Sequence, residues 1–289
     1  MSTSFIVERR VTYAGFGTRE LVVAGAGPTI VLVHGFGNTS EIWRRVLDSM
    51  YQAGQSAVAV DLPGFGEADP LRPGELMPQL DSFLDAVIQH HGRSEAVVLV
   101  GNSLGAATIL RACRNSELPI AAVLALDTAG ITWKPLVSAG LRPLIAATGL
   151  ATRIRIPRAV HRVLVKRALS HLLYGRRSAI EPAVVGQLAD GVDDPIETHR
   201  LIRQGAEFKR ELDRTRDHGG VGVPMVAVHG ARDRLVPLST SRILRDANPG
   251  SRLVVLPHAG HCPQLDATSV IACLAREFAT MSTDAKEIS

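Results

Sequence analysis

Three residues of the chain have the types that acyl transfer to a nucleophile requires. Ser103 lies at the centre of the pentapeptide GNSLG at residues 101–105, and Asp233 and His261 each follow an apolar run farther along the chain. A serine hydroxyl becomes a strong nucleophile when a histidine accepts its proton and a carboxylate orients that histidine. These residue types therefore predict Ser103 as the nucleophile, His261 as the general base and Asp233 as the acid.

The segments on either side of Ser103 predict a sharp turn between a strand and a helix. Residues 97–100, VVLV, are typical of a buried parallel strand, and residues 106–110, AATIL, continue as a helix. Glycines two positions before and after the serine let neighbouring backbone pass close to a strained turn. Such a turn raises the Ser103 hydroxyl above the sheet and places the Leu104 N–H at a helix N-terminus, where it can stabilise an oxyanion. The pentapeptide alone also fits an ordinary helix N-cap serine.

The remaining elements alternate between strands and helices over most of the chain. Apolar, β-branched runs predict strands at residues 5–11, 19–24, 29–33, 56–60, 97–100, 120–126, 224–230 and 253–256. Helical periodicity marks residues 42–50, 76–90 and 269–281 between and after them. This alternation predicts an α/β fold with a mostly parallel sheet, whose functional residues follow the carboxyl ends of the strands.

The alternation stops between residues 128 and 222. This stretch has no buried strand run, and its amphipathic pieces, such as residues 158–173 and 180–188, are separated by prolines. It therefore predicts a mostly helical insertion after the sixth strand. The core domain would then consist of residues 1–127 and 223–289.

Four separate motifs resemble those of the α/β-hydrolase superfamily. They are HGFG at residues 34–37, DLPGFG at residues 61–66, the pentapeptide around Ser103, and the loops that carry Asp233 and His261. The order of nucleophile, acid and base is also the order in that family. The resemblance implies an eight-stranded sheet flanked by helices, with the insertion forming a cap (lid) over the triad. It also implies an oxyanion hole made by the backbone N–H groups of Phe36 and Leu104.

Other readings of the acid remain open at this stage. Asp127 also ends an apolar strand, and some members of the superfamily take the acid from that point. Asp233 could instead be a turn residue paired with Arg232 or Arg234. We favour Asp233 as the acid because it precedes His261 with the loop chemistry expected of the family.

The resemblance implies hydrolysis of a carboxylic ester or thioester, of small to medium and largely apolar character, through an acyl-serine intermediate. One alternative is hydrolysis of a carbon–carbon bond in ring-cleavage products, because residues 101–105 and 61–66 also look like those enzymes. Against it, those enzymes usually have a longer glycine-proline oxyanion motif and an aromatic residue after the catalytic histidine, where this chain has Cys262. A third alternative is a ligand receptor or signalling protein that retains the triad. Ser103 argues against the dehalogenase and epoxide hydrolase branches, whose nucleophile is a carboxylate.

Composition and charge narrow the classes of protein to which this chain can belong. The 289 residues have 46% hydrophobic content and a net charge of +4, which does not favour a nucleic-acid partner. Three cysteines without C-x-x-C spacing predict free thiols in a reducing, cytoplasmic compartment. We find no signal peptide and no apolar run of roughly 18 residues, and so expect no integral membrane segment. The residues indicate no metal or cofactor, and they predict nothing about the oligomeric state.

Positive charge is concentrated in the insertion. Residues 128–220 contain 16 Lys and Arg against 9 Asp and Glu, and eight of these basic residues lie between Arg153 and Arg177. A solvated helix face explains such a pattern. The sharper alternatives are an acidic substrate, an acidic partner, or weak contact with an anionic surface.

Overall fold

A single mixed sheet organises the protein. The computed structural model describes residues 5–215 and 220–287, and in these residues the strands follow the order β1-β2-β4-β3-β5-β6-β7-β8. The strands are β1 (Val7–Tyr13), β2 (Phe16–Val23), β3 (Ala26–Val33), β4 (Gln55–Val60), β5 (Val97–Asn102), β6 (Ile120–Leu126), β7 (Met225–Gly230) and β8 (Arg252–Leu256). β2 pairs antiparallel with both β1 and β4, and the other pairs are parallel. The eight-stranded α/β fold that the sequence predicts is confirmed.

Helices cover both faces of the sheet. They are α1 (Arg44–Gln52), α2 (Met77–His91), α3 (Leu104–Ala112), α4 (Pro135–Ser138), α5 (Leu141–Ala151), α6 (Arg158–Leu173), α7 (Pro182–Asp190), α8 (Pro195–Arg214), α9 (Leu238–Asp246), α10 (Pro263–Asp266) and α11 (Thr268–Glu287). Val31 and Val33 of β3 pack toward α2 and α3, whereas Ile30 and Leu32 pack toward α1 and α11. Successive side chains of a strand point to opposite faces, so each central strand contributes to both core layers.

Two local differences from the sequence expectations have simple causes. The strands expected at residues 5–11 and 19–24 leave residues 12–18 between them, but the turn is limited to Ala14 and Gly15, which have φ of 48° and 78°. A two-residue hairpin loop requires positive φ at both positions, and the strand resumes at once in Phe16. The helix expected over residues 42–50 begins as a short 3-10 helix at Ser40, capped by the Thr39 side chain, and continues as α1.

The helices α4 to α8 lie between β6 and β7 in the chain and correspond to the predicted insertion. Leu173 and Val185 of this segment join the core layer of α1 and α11, whereas Phe208 and Leu212 of α8 join the opposite layer. The insertion therefore packs against the core on both sides of the sheet.

Candidate active site

Ser103 occupies the turn between β5 and α3. Its backbone has φ 55° and ψ −111°, and its N–H donates to the carbonyl of Leu126 at 2.8 Å. A positive φ in a non-glycine residue costs on the order of 1–3 kcal/mol and persists where surrounding structure enforces it. The side chain is 8% exposed. The turn predicted from the sequence is therefore present, with the serine strained and largely buried.

The glycines of this turn are required by close backbone contacts. A Cβ added to Gly101 would lie 2.5 Å from the carbonyl oxygen of Gly105, and one added to Gly105 would collide with the carbonyl oxygen of Val33. Gly35, in the loop after β3, comes so close that an added Cβ would lie 3.1 Å from Cβ of Ser103. Only glycine fits these positions without moving the backbone.

The structure brings Asp233 and His261 into direct contact. Nδ1 of His261 lies 2.7 Å from Oδ2 of Asp233, while Oδ1 of Asp233 accepts the N–H groups of Leu235 and Val236 at 2.6 and 3.0 Å. Burial opposes ionisation of Asp233. The adjacent His261 charge and hydrogen bond, together with those backbone donors, outweigh burial and lower the pKa of Asp233. Asp233 is therefore held as a carboxylate that can orient His261.

Asn102 connects the His261 loop to the serine turn, a role that the sequence analysis missed. Its Nδ2 donates to the carbonyl oxygen of His261 at 2.9 Å, and its Oδ1 accepts from Nε2 of Gln264 at 3.2 Å. Because Asn102 immediately precedes Ser103, the hydrogen bonds fix the histidine loop relative to the serine. The sequence offered a signal only in the polar residue at the end of an otherwise apolar strand.

The rival acid, Asp127, lies beside Asp233 and not beside His261. The side chains of Asp127 and Asp233 share a hydrogen bond, and the N–H of Gly230 donates to Asp127 at 3.1 Å. Burial raises the pKa of Asp127 well above its usual range, and the charge of Asp233 raises it further. Two adjacent buried carboxyls share one proton when only one can ionise. Asp127 is therefore the protonated partner that donates to the Asp233 carboxylate.

His229 completes this buried cluster. Ligand-type atoms of His229, Asp127 and Asp233 lie within 4.8 Å of one another. However, Nδ1 of His229 lies 3.0 Å from the Ser241 hydroxyl and 3.3 Å from Oδ1 of Asp127, and both carboxyls also have the partners described above. Burial lowers the pKa of His229 to about 4, so its ring is neutral. We assign the cluster as a hydrogen-bond network and not as a metal centre.

The expected oxyanion-hole residues lie at the start of α3 and in the loop after β3. Leu104 is the first residue of α3, and the first N–H groups of a helix have no acceptor within it. The ring of Phe36 packs against Phe65 and Phe208, with centroids 5.3 and 5.8 Å away. Since Phe208 belongs to α8, the insertion contacts the loop that carries one of the two expected donors.

His34 shapes that same loop. Its Nε2 accepts the N–H of Leu62 at 2.9 Å, which leaves Nδ1 to donate to the carbonyl of Gly35 at 2.8 Å. The ring is fully buried, and burial lowers its pKa. His34 is therefore placed to hold the loop, and both its ring nitrogens are occupied.

A cavity of about 1080 Å³ adjoins the Phe36 loop. Gly37 and Asn38 line one side, and Gln187, Arg200 and Gln204 of the insertion line another. Ser103 is not among the lining residues. The cavity is thus a space between the insertion and the core next to the expected oxyanion loop, separate from the serine itself.

Residues 171–176, which we call the anchor segment, join the insertion to both catalytic loops. Arg234 donates to the carbonyl oxygens of His171 and Tyr174 at 2.6 and 2.9 Å. The N–H of Cys262 donates to the carbonyl of Leu173 at 3.0 Å. The side chain of Arg234 therefore bonds to the anchor segment.

Asp266 strengthens the same junction. Its Oδ2 accepts the N–H of Gly175 at 2.8 Å and the N–H of Gly260 at 2.7 Å. Gly260 directly precedes His261, so one buried carboxylate holds the anchor segment and the histidine loop together. Arg232 adds a bond to the carbonyl of Gly175 at 3.1 Å.

The fold and these contacts agree with the comparison to known families. The family described as alpha/beta hydrolase fold matches residues 28–268. The chain therefore belongs to the α/β hydrolase fold family, and the resemblance noted in its motifs is confirmed.

Individual relatives lie in more than one branch of that family. The chain is 28% identical over 249 residues to a pimeloyl-(acyl-carrier protein) methyl ester esterase of Pectobacterium atrosepticum, covering 83% of this chain and 89% of the relative. It is 29% identical over 283 residues to a 2-hydroxy-6-oxo-6-(2'-aminophenyl)hexa-2,4-dienoic acid hydrolase of Metapseudomonas resinovorans, covering 92% and 88%. A crystal structure of a membrane phospholipase A superimposes with a TM-score of 0.76 at 18% identity, covering 97% of this chain and 87% of that one. The relatives support a hydrolase, and the last comparison supports the fold.

The described part of the chain, residues 5–215 and 220–287, offers no membrane-spanning helix. None of its helices is both long and apolar enough to cross a bilayer.

Proposed function

We propose that the protein is a serine hydrolase that cleaves a carboxylic ester or thioester through an acyl-serine intermediate. The observation that carries the proposal is the buried 2.7 Å contact between His261 and Asp233, in a loop that Asn102 bonds to the turn of Ser103. A base oriented by a carboxylate and fixed relative to a serine is the arrangement that activates a hydroxyl nucleophile.

Each residue has one role in the proposed reaction. His261 takes the proton of Ser103 as the serine attacks the carbonyl carbon, and later gives a proton to the leaving alcohol or thiol. Asp233 holds the imidazole and stabilises its charged form. The N–H groups of Phe36 and Leu104 bind the oxyanion of the tetrahedral intermediate, and removing one such donor costs about 3 kcal/mol in comparable enzymes. Water then attacks the acyl-serine by the same route.

We propose that residues 128–222 act as a cap that selects the substrate. The contact of Phe208 with Phe36 and the cavity beside residues 37–38 support this role, because both place the insertion next to the expected oxyanion loop. An apolar substrate of small to medium size fits the largely aliphatic composition of the insertion, in which the half-buried Leu141, Ile145 and Leu172 are the first residues to vary.

Hydrolysis of a carbon–carbon bond is the second candidate, favoured by the relative from Metapseudomonas resinovorans, whose name describes such a substrate. The two activities are separated by assaying an ester series of increasing acyl length beside a dienoic ring-cleavage product. Turnover of the ring-cleavage product alone would transfer the assignment to the second candidate. Binding of either compound without turnover would indicate a receptor.

The nucleophile is tested by fluorophosphonate labelling. We expect one label per chain in the native protein, and loss of both labelling and ester turnover in Ser103→Ala. Ser49→Ala, in α1, is the matched control because it removes a hydroxyl away from the proposed site. Labelling that persists in Ser103→Ala would refute the nucleophile assignment, whichever substrate the protein uses.

A further inference from the structure

Three helices of the insertion contribute little to the protein core. No residue of α4 or α5 is buried, and α6 buries only His161 and Leu173 over its 16 residues. A surface helix of a globular protein normally buries one apolar stripe. α5 packs against α8 and α6 packs against α7, but the apolar side chains that these helices leave exposed are not explained by packing within the chain.

Exposed aliphatic side chains are concentrated in this region. Single exposed apolar residues are ordinary on protein surfaces, whereas a contiguous group marks an interaction site. Val160, Val163 and Leu164 share one face of α6 and are each at least half exposed. Leu136 of α4, Leu144 and Leu150 of α5 and Ile154 of the loop before α6 are the other large aliphatic residues exposed in this segment, and we call all seven together the aliphatic face.

The segment that carries the aliphatic face is basic, although Asp190 pairs with Arg162 and Asp194 lies near Arg158. Residues 128–180 contain ten Lys and Arg and no Asp or Glu. Arg153, Arg155 and Arg158 are exposed and alternate with the exposed Ile154 and Val160. Exposed aliphatic side chains beside arginines complement a partner that has an apolar interior and anionic groups at its surface.

We propose that the aliphatic face binds the surface of an anionic lipid bilayer. Its Leu, Ile and Val side chains would enter the boundary between headgroups and acyl chains, and its arginines would pair with lipid phosphates. Residues 136–164 contain no Phe, Tyr, Trp or Met, the residues enriched at protein interfaces, and this favours lipid over a protein partner. The protein would lie on the bilayer and not cross it, since its described helices include no candidate span.

The binding face is connected to the candidate active site by one helix. α6 carries Val160, Val163 and Leu164, and it ends at Leu173, whose carbonyl accepts the N–H of Cys262 next to His261. A bilayer-bound protein would thus hold its anchor segment, and with it the histidine loop, at a fixed distance from the lipid surface.

Vesicle co-sedimentation tests the proposal. We expect the full chain to bind vesicles of equal parts phosphatidylcholine and phosphatidylglycerol, and to bind vesicles of phosphatidylcholine alone far more weakly. The combined variant Arg153→Glu, Arg155→Glu and Arg158→Glu is expected to lower the affinity at least about a hundredfold, since each cation lost near such a surface costs about 1 kcal/mol and each added Glu is repelled by the anionic lipids. The matched control is Arg242→Glu, Arg245→Glu and Arg276→Glu, which makes the same charge change outside the insertion. We expect that control to bind within about threefold of the native protein.

The aliphatic contribution is tested separately at constant charge. The variant Val160→Gln, Val163→Gln and Leu164→Gln is expected to weaken binding at least tenfold, whereas Ile243→Gln, Val255→Gln and Val270→Gln leaves it unchanged. Circular dichroism melts check the folding of each variant. Hydrogen exchange of the native protein supplies a measurement that needs no variant, because anionic vesicles should slow exchange in residues 136–164.

Several outcomes would overturn the proposal. They are absence of binding to the anionic vesicles, equal loss of binding in the two charge variants, and exchange protection located outside residues 136–164. A native dimer that the aliphatic variant converts to a monomer would instead assign the face to a second copy of the chain. Ser103→Ala should still bind vesicles, so this result is independent of the proposed chemistry.

Discussion

Replacing Asp233 with Asn should reverse the hydrogen bond that orients His261. Oδ1 of Asp233 accepts two backbone N–H groups, from Leu235 and Val236, so the oxygen of an Asn amide would remain at that position. Its NH2 group would then occupy the position of Oδ2 and donate to Nδ1 of His261, 2.7 Å away. The imidazole proton would move to Nε2, which could no longer accept the proton of Ser103.

The expected loss is large because the wrong tautomer removes the general base. The corresponding change in a serine protease lowers kcat about 10⁴-fold, which equals about 5.5 kcal/mol of transition-state stabilisation. Asp127→Asn should change kcat by less than about threefold, since the protonated carboxyl already donates to Asp233 and an amide can do the same. The amide oxygen would still accept the N–H of Gly230.

Stability provides an independent check on Asp127. Its folded-state pKa lies above the unfolded value, so above about pH 4 the folded protein retains a proton that the unfolded chain has released. This group therefore lowers stability progressively as the pH rises. Asp127→Asn removes that cost. The melting temperature of the variant minus that of the native protein should therefore increase from about pH 4 to about pH 7.

Steady-state kinetics on a p-nitrophenyl ester, with thermal melts across the same pH range, measure both effects. Asp246→Asn, on the exposed end of α9, is the control for a carboxyl outside the site. A large loss in Asp127→Asn together with near-native turnover in Asp233→Asn would refute this reasoning and transfer the role of acid to Asp127.

Three further predictions concern stability and the loop junctions. Burial lowers the pKa of His229 to about 4, whereas its pKa in the unfolded chain is about 6.5. Below about pH 6.5 the unfolded chain therefore binds a proton that the folded protein does not, and the folded protein loses stability as the pH falls toward 4. Urea unfolding should show a loss of about 2 kcal/mol between about pH 7 and about pH 5 that is absent in His229→Gln. Gly105→Ala should lower the unfolding free energy by at least about 2 kcal/mol because its Cβ would strike the carbonyl of Val33. Gly186→Ala, whose Cβ would meet only the flexible end of Lys166 at 3.8 Å, should be neutral or stabilising in the same assay. Asp266→Ala would leave two buried N–H groups without an acceptor, and we expect a loss of about 3 kcal/mol by urea unfolding and at least a tenfold fall in kcat.

The sheet and its order of elements were predictable because buried parallel strands are nearly continuous apolar runs. Residues 120–126 and 158–173 have the same bounds in the structure as in the prediction. The pentapeptide around Ser103 was informative because a strained turn of this kind demands glycines, which are visible in sequence. Local physical constraints of this type leave a local signal.

Long-range contacts left no comparable signal. Asp127 and Asp233 are brought together because β6 and β7 are neighbours, although about a hundred residues separate them in the chain. His91, the last residue of α2, lies 2.8 Å from Glu20 of β2, although 71 residues separate them in the chain. Burial opposes ionisation of Glu20, but the hydrogen bonds of His91 and Tyr13 outweigh it and lower the pKa of Glu20 to about 2. Such pairs depend on strand order and helix placement, which residue periodicity does not encode.

The anchor segment sets the boundaries at which this protein could exchange parts with a relative. A chimera cut at residues 128 and 222 would import foreign backbone where Arg234 and the N–H of Cys262 find their acceptors. A graft that retains residues 171–176 of the host, and replaces the helices before and after them, would leave both loops supported. Changes of substrate specificity, inherited or engineered, can therefore arise independently in the helices before and the helices after the anchor segment. The anchor segment itself, residues 171–176, must be inherited together with the core.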